Sequence, residues 1–382
     1  MRQNSNFIRI TLSENTYLCP VAQSVSDLKR AIHINDTGAY LWDLLGTEHT
    51  SDELINEAAV HFDIPADQTD SFKNDIIAFL NTLNLQGAIL TPLAVPKGSS
   101  GYYHTLRIAG LSVNLYGEAD VFAEEFAPFY EEYTENAGMT ALVVYGMPVV
   151  RENGSLLIRN KELTILEAPD KYILLFHQES RVGELHLSKD ASLAVFYCNS
   201  GESLKEDLFH ALRFAFLYLA QRHGIFAIHS ASILYREKAW LFSAPSGTGK
   251  STHAALWKKA FDITYINGDL NLIGYDEDAD EALVYGLPWC GTSDIYSDGV
   301  WPLGAIVFLE RGQKNLVKMP EGSERILNIS QRMISPTWTE NLFSNNLATA
   351  ARIAQKSHVL RYQCTKKPEA ARILKEKLDK LL

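Results

Sequence analysis

The run Ala244-Pro245-Ser246-Gly247-Thr248-Gly249-Lys250-Ser251 stands between an apolar stretch, Trp240-Leu241-Phe242-Ser243, and a helical pattern over residues 252–259. A strand, a small-residue loop and a helix in that order make a phosphate cradle. Gly247 and Gly249 let successive backbone N–H groups converge on phosphate oxygens at the positive end of the helix. Lys250 is expected to reach the β- and γ-phosphates, and the Ser251 hydroxyl to hold Mg²⁺. With Ser246, Gly247, Thr248, Gly249 and Thr252 they form the expected nucleotide-binding set. This is the Walker A pattern with Ala244 in place of the usual first glycine, and it predicts ATP and Mg²⁺ as the ligands.

A phosphate cradle needs an acid for the metal. Further on, the strand-like stretch up to Ile266-Asn267-Gly268 ends in Asp269, where a metal-positioning carboxylate belongs. The plainer role for Asp269 is an Asx turn. His229, just after Ile225-Phe226-Ala227-Ile228, is a second candidate, although a lone histidine is more often a satisfied core residue. The Gly/Pro-punctuated stretch from Tyr285 through Gly291 to Asp294 either closes over the site or forms a turn around a buried Trp289. Asp276-Glu277-Asp278-Ala279-Asp280-Glu281 is expected as a solvated acidic hairpin tip.

Three segments must position these residues. In residues 1–92, Phe7 to Leu12 and Tyr17 to Val21 predict two short strands, followed by three helices. The first starts at Asn35-Asp36, the second at the capping-box pattern Thr50 to Glu53, and the third spans about 67–85 with Gly87 just beyond it. Ala88-Ile89-Leu90 returns as a strand, and the set predicts a winged-helix unit. Residues 93–101, Pro- and Gly-rich around Lys97-Gly98-Ser99, read as a linker.

Residues 102–200 carry strand-like runs, at Ala141 to Tyr145, Ser155 to Ile158 and Tyr172 to Phe176. Asn153-Gly154, between Val149-Val150 and Leu156-Leu157, predicts a hairpin. An antiparallel sheet is expected there, with no gathering of catalytic residue types. Residues 201–382 open with a buried helix from a second capping-box pattern, Ser203 to Glu206, and hold the phosphate loop. The lysine-bearing stretch from Pro368 onward is expected as a solvated helix face. The fold class is therefore α/β and multidomain.

The 382 residues carry 35 Lys+Arg against 46 Asp+Glu, a formal charge of −11 that argues against a nucleic-acid partner. No stretch approaches the ~20 apolar residues of a bilayer-spanning helix, and no signal core follows the N-terminus. Cys19, Cys198, Cys290 and Cys364 show no metal spacing and are expected as reduced thiols. A cytoplasmic protein without membrane contact is the expectation.

His229, the hairpin from Ser232 to Ser243, the phosphate loop and Asp269 together resemble the HPr kinase family, whose nucleotide fold is similar to that of phosphoenolpyruvate carboxykinase. Residues 285–294 and the run Pro302 to Glu310 resemble the branch that includes lasso-peptide kinases. That resemblance implies an active-site role for His229. It also reveals a departure. HPr kinases carry paired aspartates, one deprotonating the acceptor hydroxyl and one serving the metal, where this chain has Gly268-Asp269. Either Asp269 serves both ends, or His229 or Asp294 acts as base, or the acceptor differs. HPr kinases resemble ring-forming assemblies, which leaves a homo-oligomer open.

Ile34-Asn35-Asp36-Thr37-Gly38-Ala39-Tyr40-Leu41-Trp42 and the ending Phe79-Leu80 to Gly87 resemble PqqD-like domains, the recognition elements of ribosomally made peptides. The resemblance implies capture of a precursor's leader as an added strand. The function expected is an ATP-dependent kinase acting on a Ser or Thr of that precursor. A carrier-protein or small-metabolite kinase, and a non-catalytic ATP-gated peptide chaperone, are the alternatives.

Overall fold

The computed structural model describes residues 1–96, 100–150, 154–177, 179–245 and 247–381. At the N-terminal end the strands Phe7–Leu12 and Asn15–Pro20 pair antiparallel. A third strand, Ile32–Ile34, joins them on the far side of Asn15–Pro20. Its Ile-His-Ile alternation is too short to mark a strand by itself.

The three helices are Asp36–Leu44, Ser51–His61 and Thr69–Gln86. Each start has a local cause. The Asn35 side chain accepts from the Gly38 N–H at 2.9 Å, and Thr50 and Glu53 form a reciprocal capping box. Gly87 ends the third helix in the left-handed region at φ 76°, and Ile89–Leu90 then pairs with Arg2–Gln3. Leu18, Leu41, Leu54, Leu80 and Leu83 fill the core of this unit.

The middle region is one nine-stranded sheet. Its pairings are antiparallel except at Met139–Tyr145, which runs parallel to Leu193–Cys198 on one side and to Leu111–Tyr116 on the other. The expected all-antiparallel sheet is thus corrected at its centre. The expected hairpin fares differently. Asn153 lies outside the described residues, and Val149-Val150 forms no strand; the Val150 side chain is instead buried in the core of the N-terminal unit. Ser155–Arg159 pairs forward with Leu163–Glu167 instead. Of the predicted linker, residues 97–99 also lie outside the described set.

The helix Leu204–Arg222 is buried on most sides, as its apolar residues require, and ends near Gly224. The expected Ser203–Glu206 capping box is absent: Ser203 makes no cap and its hydroxyl donates to Asp207. Leu208, Leu212 and Phe216 share one core with Leu185 and Phe196 of the middle sheet and with Leu270 and Leu272 of the next. The helix is the seam between the two sheets.

Beyond the helix, Phe226–Tyr235 and Val300–Arg311 are long strands that each serve two sheets. The first half of Phe226–Tyr235 pairs with Leu270–Asp276, and its second half pairs with Lys238–Ser243 and Thr264–Asn267. Val300–Arg311 begins beside Glu281–Tyr285 and continues parallel to Lys238–Ser243 and His358–Cys364. The apolar side chains alternate. Leu241, Ile306 and Val359 face the helix Glu340–Lys356, whereas Trp240, Phe242, Val307 and Leu360 face the helices Lys250–Ala260 and Glu369–Leu378. Strands covered on both faces read as unbroken apolar runs, which explains their lack of polar alternation. The C-terminal helix is more than a solvated face, since Ala370, Ala371, Leu374 and Leu378 are fully buried.

Candidate functional site

Lys238–Ser243 ends at the glycine-containing loop that starts at Ala244, and the helix Lys250–Ala260 begins immediately after it. Gly247 and Gly249 have φ of 70° and 118°, values that a side chain would strain. Ala244 is buried in the apolar core under the loop, so its methyl group is accommodated. Thr248 N–H donates to the Pro245 carbonyl at 3.1 Å, and Arg311 donates to the Gly247 carbonyl. Ser246 lies outside the described residues. Ser251 and Thr252 are exposed at the first turn of the helix.

The strand Phe226–Tyr235 changes partners at His229 and Ser230, where it leaves Leu270–Asp276 for Lys238–Ser243. That change brings three predicted residues together. Lys250 Nζ lies 2.7 Å from His229 Nε2, and His229 Nδ1 lies 3.1 Å from Asp269 Oδ1. An ammonium only donates, so Nε2 is the acceptor and the imidazole is neutral, with its proton on Nδ1 beside the Asp269 carboxylate. Burial lowers the His229 pKa below the usual 6.5, opposed by Asp269 and assisted by the charges of Lys250 and Arg332. Burial likewise lowers that of Lys250, against the pull of Asp269.

Asp269 is held by residues that no motif marks. The wholly buried Asn267 accepts from the N–H groups of Asp269 and Leu270 at 2.9 and 3.0 Å. Its amide donates to the carbonyls of Leu287 and Trp289, both at 3.2 Å. One side chain therefore ties the acid's turn to the 287–291 loop. Asn271 donates to Ser230 O at 2.7 Å and fixes the strand beside His229. Gly291, at φ 62°, closes the far side, since a Cβ there would stand 2.9 Å from Asp269 Oδ2. Neighbouring Gly268 is equally constrained. Its Cβ would stand 2.0 Å from Ser293 Oγ, so Ser293 fills the place that a second carboxylate would need.

Two arginines complete the electrostatics. Arg332 supplies the carbonyl that accepts the His229 N–H at 2.9 Å, and its charge depresses both His229 and Lys250. Arg213 sits between Phe209 and Phe216, whose rings contact Trp289, and so lies on the helix face turned to the loop that closes on Asp269. Asp269 favours the charged form of Arg213 against the cost of its burial. A conspicuous apolar helix concealed Arg213; only its place at the helical spacing between two aromatics could have flagged it.

Asp294 follows Ser293 at the end of the Gly291–Ser293 turn. With φ of 51° it lines a cavity of about 630 Å³ with Glu124, Glu125, Lys205 and Tyr296. The acidic tip is paired rather than merely solvated: Glu277 bonds Arg352, and Asp280 accepts from Lys356 at 2.8 Å. The four cysteines are free.

The site fits a metal shared with phosphates. Among the described residues no three His, Cys, Asp or Glu side chains gather as a metal cage. Magnesium commonly takes only one or two protein ligands and completes its shell from phosphate and water. Ser251 at an open helix start and a partly exposed Asp269 suit that arrangement.

Residues 22–89 match the family model described as coenzyme PQQ synthesis protein D (PqqD). The chain is thus a mixed α/β protein whose N-terminal end carries a PqqD-like domain. Among solved structures it is similar to the Hpr(Ser) kinase/phosphatase from Coxiella burnetii, at 8% identity and a TM-score of 0.25, over 40% of this chain and 93% of that one. No curated protein matches the chain. Among the described residues no helix is long and apolar enough to cross a membrane.

Proposed function

We propose that the chain is an ATP-dependent kinase that phosphorylates a Ser or Thr of a ribosomally made precursor peptide held by its leader. The observation that carries it is the Lys250–His229–Asp269 chain beside a Walker A loop, in a molecule whose residues 22–89 match PqqD. In this scheme residues 1–92 recognise the peptide and residues 102–382 form the kinase. The open edge of Ile32–Ile34 offers main-chain groups to an added leader strand.

Phosphoryl transfer asks a protein mainly to position groups and to neutralise charge. Lys250 and the loop N–H groups would hold the triphosphate, with Arg213 and Arg332 adding positive charge nearby. Ser251 and Asp269 would hold Mg²⁺, which offsets the charge of the phosphates when bound. Once the Lys250 ammonium turns from His229 to a phosphate oxygen, His229 Nε2 loses its donor and becomes a free acceptor. The peptide hydroxyl oxygen then attacks the γ-phosphorus, the bond to the ADP oxygen breaks, and the hydroxyl proton passes to Nε2. Asp269, whose carboxylate lies 3.1 Å from Nδ1, stabilises the imidazolium so formed. His229 takes this role because Ser293 occupies the space for a second acid at position 268.

Intact-mass analysis of a candidate precursor incubated with the protein and MgATP tests the proposal. A gain of one phosphate, lost in Lys250→Ala, is the expected result. Leader and nucleotide binding without transfer would replace it with an ATP-gated peptide binder, which the single aspartate at Gly268-Asp269 favours as the second reading.

A further inference from the structure

The strand that ends in the phosphate loop has a different neighbour on each flank. On one side Ser243 pairs with Ser230, so His229 rises beside the loop together with Lys250 and Asp269. On the other side Ser243 pairs with Phe308 of a parallel strand. That strand continues through Leu309, Glu310 and Arg311, three residues past the start of the loop. In open α/β sheets ligands bind beyond the C-terminal ends of parallel strands. A cavity of about 400 Å³ opens at that point, lined by Pro245, Gly247, Thr248, Leu309, Glu310 and Arg311. Its size falls in the range of small-molecule sites.

The walls are specific in character. Leu309 is buried beneath it, and Arg311 is an exposed side chain whose guanidinium donates to the Gly247 carbonyl. Glu310 does not present a bare negative charge to a nucleotide. Its Oε1 accepts from Arg361 Nε at 2.6 Å, and Arg361 in turn bonds Glu324 at 2.5 Å. A nucleotide with its phosphates on the loop must send its base to one flank or the other. The His229 flank has to admit the acceptor hydroxyl, which leaves the Arg311 flank.

We infer that this cavity is the nucleobase subsite, with the Arg311 guanidinium as a flat platform on which a purine stacks. The inference rests on the nucleotide-site reading above and adds its base selectivity. A planar guanidinium stacks on a base face, which an ammonium cannot do. A purine offers more face than a pyrimidine, so the platform favours ATP over CTP, whereas the loop and Lys250 treat all triphosphates alike.

Calorimetric titration of the full-length protein with MgATP, MgCTP and magnesium tripolyphosphate tests this. The ATP-over-CTP preference of the unmodified chain is expected to be about tenfold, in keeping with stacking energies measured on other aromatic and cationic faces. In both Arg311→Ala and Arg311→Lys it should fall to about twofold, with tripolyphosphate affinity changed less than about threefold. A preference that survives both variants would overturn the inference. So would parallel weakening of ATP and tripolyphosphate, which would make Arg311 a brace for the loop only. If the unmodified chain binds neither ATP nor tripolyphosphate, the nucleotide-site reading itself fails.

Discussion

At His229 one hydrogen bond defines the tautomer: Lys250 leaves Nε2 as an acceptor, so the ring proton is on Nδ1, 3.1 Å from Asp269 Oδ1. The ring is thus held ready to receive a proton at one atom, with that atom covered until the lysine is drawn away. His229→Gln, which can still accept from Lys250 but cannot carry the proton, is expected to lower kcat by about 10²–10⁴-fold. MgATP affinity should stay within about threefold, as checked by single-turnover phosphorylation and direct nucleotide titration. An equal loss in both would make His229 a positioning residue for Lys250. The same scale shows where chemistry was legible. Lys250, Ser251 and Asp269 stand at motif spacings, and the motif's physical requirements point to them. Asn267, Arg213 and Arg332 follow no spacing; they act through a turn, a helix face and a strand crossing that exist only once the chain is folded.

Among the elements, the helix Lys250–Ala260 carries a buried strain of its own. His253 is 2% exposed, accepts from Trp257 Nε1 at 3.1 Å, and has no partner at Nδ1 among the described residues. Burial lowers its pKa from 6.5 to about 4. Because the folded value lies below the unfolded one, the unfolded chain binds the proton first. The native state is therefore undiminished above pH 6.5 and loses stability as pH falls from there toward 4, by about 3 kcal/mol from this residue. Denaturant titrations from pH 7 to 4 should show that loss, and His253→Gln, which keeps an acceptor for Trp257, should flatten it. Helices with caps were the most readable elements: Asn35, the Thr50–Glu53 box and Gly87 all act where local chemistry places them. The Ser203–Glu206 pattern did not, because Ser203 spends its hydroxyl on Asp207. The parallel pairings of Met139–Tyr145 were hidden for a different reason: its partners lie far off in the chain, and parallel and antiparallel registers place the same alternation on the same faces.

Across the molecule, a single core runs from the nine-stranded sheet through Leu204–Arg222 to Leu270 and Trp289, on either side of Asp269 in the fold. Residues of the middle sheet therefore share one core with the segment that follows residue 200. The N-terminal unit is joined to that body by more than the chain around residues 93–101. Val150, from the middle region, is seated in the core of residues 7–89, and Asn81 reaches the Val149 carbonyl. In the proposed scheme, a peptide gripped at one end by such a unit is measured as well as held. The distance from grip to phosphate becomes a ruler, and the residue modified should be chosen by its count from the leader as much as by its neighbours. Inserting about six Gly/Ser residues between leader and acceptor adds roughly 13 Å of flexible span. Fragmentation of the product should then find the phosphate moved to a hydroxyl nearer the leader, or missing where none lies within the measured length.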